Sequence, residues 1–114
     1  ETDEQMVQRR NAIHTGTLKA AMVPLETAKH ALELLVTLPA LAKTGNGNAV
    51  TDVGVAGLLI SAACKGALFN VEINLSSLPD DVGVEMRSEL ESLREKCRIT
   101  SREVMHSVHD RMHS

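Results

Sequence analysis

Residues 44–75 form a largely apolar stretch, rich in Gly and Ala, that keeps three polar side chains able to do chemistry. They are Asp52, Asn70 and Asn74. A carboxylate can exchange a proton, and an amide can donate and accept hydrogen bonds at once. We therefore interpret the stretch as a closely packed helix that brings a few polar groups to a pocket.

Helical geometry relates these three groups. At about 100° per residue, Asp52 and Asn70 project in one direction and Asn74 lies about 40° further round. The stripe between them is expected to be buried and consists of Ala56, Leu59, Ala63 and Gly66. Its ends are about 27 Å apart, so the polar groups cannot meet within one chain. An antiparallel second copy would bring Asp52 towards the other copy's Asn70, which favours a two-fold homodimer.

A purely structural alternative explains the same residues. Negative charge is favourable at a helix N-terminus, where Asp52 lies, and the two Asn side chains could tie down the other helix end. Glycine within a helix costs about 0.5–1 kcal/mol relative to Ala, however, and Gly54, Gly57 and Gly66 fall in one helix. We expect neighbouring helices to approach closely there.

The elements that position this helix are also helical. Thr2 or Asp3 can cap a first helix, which Pro24 should divide into segments 3–22 and 24–37. The sequence KTGNGN then ends one helix before the next begins, with Asn48 or Thr51 as N-cap and an end near Leu75. A strand over ALFNVEINL is rejected because the apolar pattern continues unbroken and no partner strand exists.

A last amphipathic helix follows SSLPDD, with Asp80 or Asp81 as its cap. Its apolar stripe is Met86, Leu90, Leu93, Cys97, Thr100, Val104 and Val108. The outer face needs no role beyond solvation and carries Arg87, Glu91, Arg94, Glu95, Arg98 and Arg102. The predicted fold is all-α, a multi-helix bundle with one central small-residue-rich helix.

Composition excludes several classes of protein. The 114 residues make one domain, with a net charge of −3, a single Phe and no Tyr or Trp, which argues against nucleic-acid binding. Cys64 and Cys97 are interpreted as reduced, packed thiols of a cytosolic protein. The longest uncharged apolar run, Val53 to Cys64, is shorter than the ~20 residues of a membrane span. Because the chain begins with Glu, we expect it to be a piece of something longer or processed.

Two further patterns are discounted. His106, His109 and His113 share a helix face at a spacing that could bind zinc, but a chain end that frays rarely preorganises ligands, so no metal is expected. Gly45 to Asn48 lacks the Lys and Ser or Thr of a phosphate loop, so nucleotide binding is not expected either.

Several segments together resemble one enzyme family. They are LKAAMVPLETAKHALELL, Gly45-Asn46, Thr51-Asp52, Phe69-Asn70-Val71 and Ile73-Asn74-Leu75. In their order and spacing they look like the C-terminal half of the formiminotetrahydrofolate cyclodeaminase family, which includes methenyltetrahydrofolate cyclohydrolases. The resemblance implies that residues 1–114 are the C-terminal part of a single all-α, dimeric, cytoplasmic domain.

The resemblance also implies a reaction. The protein would close 5-formiminotetrahydrofolate to 5,10-methenyltetrahydrofolate with release of ammonia, a tetrahydrofolate derivative being the substrate and no metal taking part. Asp52 is then the candidate proton shuttle, Asn70 and Asn74 bind the pterin or the reacting carbon's nitrogen, and Lys65 pairs with a folate carboxylate. Cyclohydrolysis of the methenyl compound and a non-catalytic helical interaction module remain as alternatives.

Overall fold

Four helices account for nearly all of the chain, and a computed structural model describes residues 1–114 throughout. The helices are α1 (Asp3–Leu35), α2 (Leu38–Thr44), α3 (Val50–Ser76) and α4 (Val84–Met112), with a short 3-10 helix at Gly47–Ala49. The chain is 87% helical and has no strand. The all-α prediction is confirmed, and ALFNVEINL is helical as expected.

The three long helices pack side by side in a narrow bundle of 70 × 17 × 15 Å. α3 lies between the other two, and its buried face carries Gly54, Gly57, Ser61, Cys64 and Val71. α4 runs antiparallel to α3, because Gly54 meets Val108 near the end of α4 whereas Gly57 meets Val104 one turn earlier. The small-residue helix is therefore the central element, as predicted.

α1 is one continuous helix, so the predicted division at Pro24 is wrong. Pro24 removes one helical hydrogen bond, but the residues around it, Ala21, Leu25 and Ala28, are buried against the bundle. This packing holds the helix together across the missing bond. Thr2 caps the helix as expected, with a reciprocal capping box to Gln5.

The first turns of α1 extend beyond the bundle. Residues 1–13 are all exposed, and the first buried side chain is Ala21. Leu18 lies against Gly83 at the start of α4, so the bundle begins near that level. Met6 and Ile13 continue the apolar stripe of α1 but contribute nothing to the core.

The expected close approach occurs at two of the three glycines of α3. A Cβ on Gly57 would lie 2.7 Å from Val104 Cγ1, and one on Gly54 would lie 3.2 Å from Val108 Cγ1. α4 therefore occupies the space that these glycines leave. Gly66 has nothing within 4 Å of the equivalent position, so the prediction is wrong there for a single chain.

Both predicted N-caps of the later helices are wrong. Ala49 precedes α3 and provides no side-chain cap. Asn46 accepts a hydrogen bond from the N–H of Asn48 at 2.9 Å and so caps the short 3-10 helix instead. α4 is preceded by Gly83 at φ 75°, a left-handed conformation that favours glycine over Asp80 or Asp81.

The predicted apolar stripe of α4 is confirmed, since all its members but the partly buried Met86 are buried. One residue assigned to the outer face does more than meet solvent. Arg87 donates hydrogen bonds to the carbonyls of Leu75 (2.8 Å), Leu78 (3.2 Å) and Pro79 (3.3 Å). It thereby satisfies acceptors at the C-terminal end of α3.

Length and composition alone would allow Gly47–Ser76 to cross a bilayer, with a mean hydropathy of 1.5. A third of that window is buried within the chain, and the core helix of a bundle meets the same criterion. Packing of α3 on α1 and α4 accounts for the apolar residues on its buried face.

Candidate functional site

Asp52 lies in the first turn of α3 with its carboxylate exposed and free of any hydrogen bond or ion pair within the chain. It borders a hollow of about 270 Å³ between α2 and α3. The other residues lining that hollow are Leu38, Leu41, Gly45, Asn46, Ala49, Val53 and Ala56. An unpaired carboxylate beside an apolar hollow is available to exchange a proton with a ligand.

The loop that forms one wall of this hollow is held by α4. Arg111 donates hydrogen bonds to the carbonyls of Ala42, Lys43 and Gly45, the last at 2.8 Å. These carbonyls end α2, where a cation is favourable. No local sequence pattern indicates a partner 66 residues away. Arg111 therefore fixes the backbone that leads to Asp52.

Asn70 and Asn74 lie in a second, larger recess, an open groove of about 620 Å³ between α1 and α3. Its apolar walls include Val23 and Ala67, and its polar groups are few. The Nδ2 of Asn74 donates to the Asn70 carbonyl at 2.9 Å. Asn74 therefore stabilises the C-terminal part of α3, as the structural alternative expected. The Asn70 side chain has no hydrogen bond, which leaves both its donor and its acceptor free for a ligand.

Pro24 adds a backbone acceptor to the same groove. Ala20 and Pro24 both line it. Because Pro24 has no N–H, the Ala20 carbonyl four residues earlier accepts no helical hydrogen bond from that position. A proline in an apolar helical stripe predicts not only a helix break but also an unpaired carbonyl four residues earlier.

The stripe that joins these two recesses is not buried, which corrects the sequence analysis. Leu59 is 67% exposed, and Ala63 and Gly66 also face solvent. α1 and α4 pack on the buried face of α3, whereas this side meets α2 and α1 only across the two open recesses. Asp52 and Asn70 consequently remain about 27 Å apart, and one chain does not bring them together.

Lys65 lies elsewhere. It is exposed in a shallow cleft of about 230 Å³ between α3 and α4, which is lined also by Leu68, Phe69, Arg94 and Arg98. None of these residues lines the groove of Asn70. A role for Lys65 toward the same ligand is therefore not supported by its position.

The C-terminal histidines form no compact cluster. His106 Nε2 is 3.4 Å from Asp110 Oδ2, whereas His109 and His113 contact each other edge to face with ring centroids 6.4 Å apart. No group of three or more His, Cys, Asp or Glu side chains is placed to hold a metal ion.

A buried thiol is the one strongly shifted titratable group. Burial, and secondarily the neighbouring Cys97, raises the pKa of Cys64 to about 12. Its Sγ donates to the Ala28 carbonyl at 3.5 Å. Cys64 is therefore a protonated packing residue of the core, as the sequence analysis interpreted it.

The fold and the site together define a class of protein: an all-helical domain with an open, mostly apolar groove that holds few polar groups. The formiminotransferase-cyclodeaminase family model matches residues 1–95, and the chain belongs to that family. It is 33% identical over 111 residues to the rat formimidoyltransferase-cyclodeaminase, a match covering 96% of the chain and 20% of the relative. It is also 34% identical over 93 residues to the Methylorubrum extorquens methenyltetrahydrofolate cyclohydrolase, covering 81% and 45%. The chain thus spans between a fifth and a half of the length of these relatives.

Proposed function

We propose that this chain is the C-terminal part of a cyclodeaminase domain that converts 5-formiminotetrahydrofolate to 5,10-methenyltetrahydrofolate and ammonia. One observation carries the proposal. The groove between α1 and α3 has the size of a small-molecule site, apolar walls and a free amide at Asn70. The rat relative is named for cyclodeaminase activity, which supports the same reaction.

The groove matches the chemistry of a reduced pterin. A pterin edge presents N–H donors beside carbonyl and ring-nitrogen acceptors, and the Asn70 amide can pair with both kinds at once. The Ala20 carbonyl offers a further acceptor. Asn74 keeps its oxygen available, because only its Nδ2 is used within the helix.

The reaction needs one proton carrier. N10 attacks the formimino carbon and loses its proton, while the departing nitrogen gains protons and leaves as ammonia with its bonding electron pair. Asp52 is the proposed carrier, since its carboxylate has no partner in the chain. Because it lies about 27 Å from Asn70 within one chain, it would act on substrate in the groove of an antiparallel second copy. Such a group contributes typically 10²–10⁴-fold to the rate.

A second reaction is supported by the 34% identity to a methenyltetrahydrofolate cyclohydrolase. In that reaction water attacks the methenyl carbon and the ring opens to the 10-formyl compound. The same groove and carboxylate would serve, since the ligand and the proton movements are similar.

The test is an assay of the purified chain with 5-formiminotetrahydrofolate, following the absorbance of the methenyl product. We expect turnover, a loss of roughly 10²-fold or more in kcat for Asp52→Asn, and no change for the exposed control Asp81→Asn. Asn70→Ala should raise KM more than it lowers kcat. Unchanged turnover in Asp52→Asn would remove Asp52 from the mechanism, and consumption of methenyltetrahydrofolate alone would establish the second reaction instead.

A further inference from the structure

The larger part of α4 lies beyond residues 1–95, the part of the chain that the family model matches. Its last turn nevertheless contacts the wall of the hollow beside Asp52. Arg111 is partly buried, whereas every other residue from His109 to Ser114 is exposed. The side chain of Arg111 therefore turns toward the bundle at a chain end that is otherwise in solvent.

All side-chain hydrogen bonds of Arg111 go to one loop. Its Nη1 donates to the carbonyls of Ala42 and Lys43, and its Nη2 donates to that of Gly45 at 2.8 Å. The same Nη2 lies 3.5 Å from the position that a Cβ on Gly47 would occupy. Arg111 forms no ion pair with an acidic side chain. The planar guanidinium thus fits several carbonyls at once, a geometry that an ammonium group cannot reproduce.

Two glycines of α3 bring this arginine to the loop. Val104 packs on Gly57, and Val108 packs on Gly54. Arg111 is about one turn further along the same face of α4. Because α3 and α4 are antiparallel, that turn of α4 lies beside the residues that precede α3. The close packing at the glycines therefore sets the register at which the guanidinium meets the loop.

The loop is also a wall of the candidate site. Gly45 and Asn46 line the hollow together with Asp52. Only the 3-10 helix Gly47–Ala49 separates them from α3, whose first turn carries Asp52. The carboxylate has no hydrogen bond of its own within the chain, so the backbone alone sets its position relative to this wall. An error of about 1 Å in the position of a catalytic group can cost about 10²-fold in rate.

We propose that Arg111 is a positioning residue for Asp52. By holding the backbone from Ala42 to Gly47, it fixes the wall of the hollow, and this wall fixes where a reacting group meets the carboxylate. Arg111 itself touches no substrate. Its hold on the loop stands independently, whereas its effect on turnover rests on the proposed function.

Arg87 provides a matched control within the same helix. It donates to the carbonyls of Leu75 and Leu78, so it binds the C-terminal end of α3 much as Arg111 binds that of α2. It does not line the hollow beside Asp52. A purely structural role of Arg111 predicts that the two alanine variants behave alike, whereas a positioning role predicts that they differ.

Amide hydrogen exchange, resolved by NMR, tests the hold on the loop without any need for activity. The N–H groups of Gly45, Asn48 and Ala49 donate local hydrogen bonds at 2.8, 2.9 and 3.0 Å. In Arg111→Ala they should exchange about tenfold faster or more, with no change in the middle of α3, whereas Arg87→Ala should leave them unchanged. Unchanged exchange of these three groups in Arg111→Ala would overturn the proposal.

Steady-state kinetics test the effect on turnover. For Arg111→Ala we expect kcat per folded chain to fall about 10–10²-fold while KM changes by less than about twofold, because the groove around Asn70 is untouched. Arg87→Ala should lower stability but not kcat per folded chain. Circular dichroism gives the folded fraction of each variant. Equal losses of kcat per folded chain in the two variants would contradict the positioning role.

Chemical rescue separates positioning from loss of stability. Guanidinium ion at tens of millimolar, with the ionic strength held constant by sodium chloride, can occupy the space that Arg111→Ala leaves. It should raise the kcat of that variant severalfold and leave Arg87→Ala unchanged, whereas guanidinium would only weaken a variant that is simply unstable. Absence of rescue would overturn the positioning role. An inactive wild type whose loop exchange responds as expected would remove the proposed function alone, because Arg111 would still hold the wall.

Discussion

The two sides of α3 have similar compositions but different surroundings. The side toward α4 uses Gly54 and Gly57 to bring Val108 and Val104 into contact with the helix backbone. On the opposite side Gly66 has nothing within 4 Å of its Cβ position, Ala63 borders an open groove, and Leu59 lies largely in solvent. Small residues at helical spacing therefore indicate that something packs closely, but they do not say whether it belongs to the same chain.

Among substitutions on the two sides of α3, those of leucines should differ most in their effect on the free energy of unfolding. Leu75 is 1% exposed, so Leu75→Ala should lower the free energy of unfolding by about 2–5 kcal/mol through lost burial and a cavity. Leu59→Ala should change it by less than about 0.5 kcal/mol in dilute, monomeric chain. Urea unfolding followed by circular dichroism measures both free energies. Equal losses would show that Leu75 is no more a core residue than Leu59.

Arginines of α4 give the next contrast. Arg87→Met keeps the apolar stem but leaves the partly buried carbonyl of Leu78 without a donor and that of Leu75 with only its backbone donors, for an expected loss of about 1–3 kcal/mol. Arg98→Met removes only a solvent-exposed pair with Glu95 and should cost much less than Arg87→Met. Similar costs for the two variants would mean that Arg87 does not hold the end of α3.

Alkaline pH should lower the free energy of unfolding through the buried side of α3 only. The pKa of Cys64 is raised to about 12 against about 8.5 in the unfolded chain, so its contribution to stability is complete below the unfolded value and is lost as pH rises toward 12. We expect the wild type to lose about 2 kcal/mol more than Cys64→Ala between pH 7 and pH 10, measured by urea unfolding at the two pH values.

Alkylation provides the matched comparison across the helix. A cysteine introduced by Ala63→Cys on the exposed side should react with iodoacetamide within minutes at pH 9. Cys64 should react only as fast as the chain unfolds. Rapid labelling of Cys64 in the folded chain would contradict its assignment as a core thiol.

Local periodicity was enough to predict which segments are helical, because apolar stripes such as Leu90 to Val108 repeat at helical spacing whatever covers them. The residues that begin or interrupt a helix were predicted wrongly where several neighbouring residues could take the same role. Gly83 displaced Asp80 and Asp81 as the residue before α4, and Pro24 was tolerated because the core packs on both sides of it. Long-range contacts such as Arg111 with Gly45 left no local signal.

The candidate site shows the same limit. Spacing correctly related Asp52, Asn70 and Asn74 to one side of α3, and the groove beside the two amides confirms that a recess exists there. Which side of the helix is buried depends on where α1 and α4 pack, and the small residues on both sides are nearly equivalent in size. The stripe was therefore assigned to the interior of one chain although it lies on its surface.

The smallest expected effects are those of two alanines, and their signs should be opposite. Gly57→Ala places a Cβ 2.7 Å from the fully buried, stiff side chain of Val104, so overpacking should outweigh the helix-propensity gain by up to about 1 kcal/mol. Gly66→Ala meets nothing within 4 Å and should stabilise the isolated chain by about 0.5–1 kcal/mol.

The alanine pair discriminates between the two sides only if self-association is removed. Both are therefore measured in a Leu59→Glu background, with Gly16→Ala, an equally open glycine in the exposed part of α1, as the control for propensity alone. Gly66→Ala should match Gly16→Ala there. Because a methyl group on an open helix surface can only add propensity, a destabilising Gly66→Ala in the monomer would show that this side of α3 is already covered by its own chain.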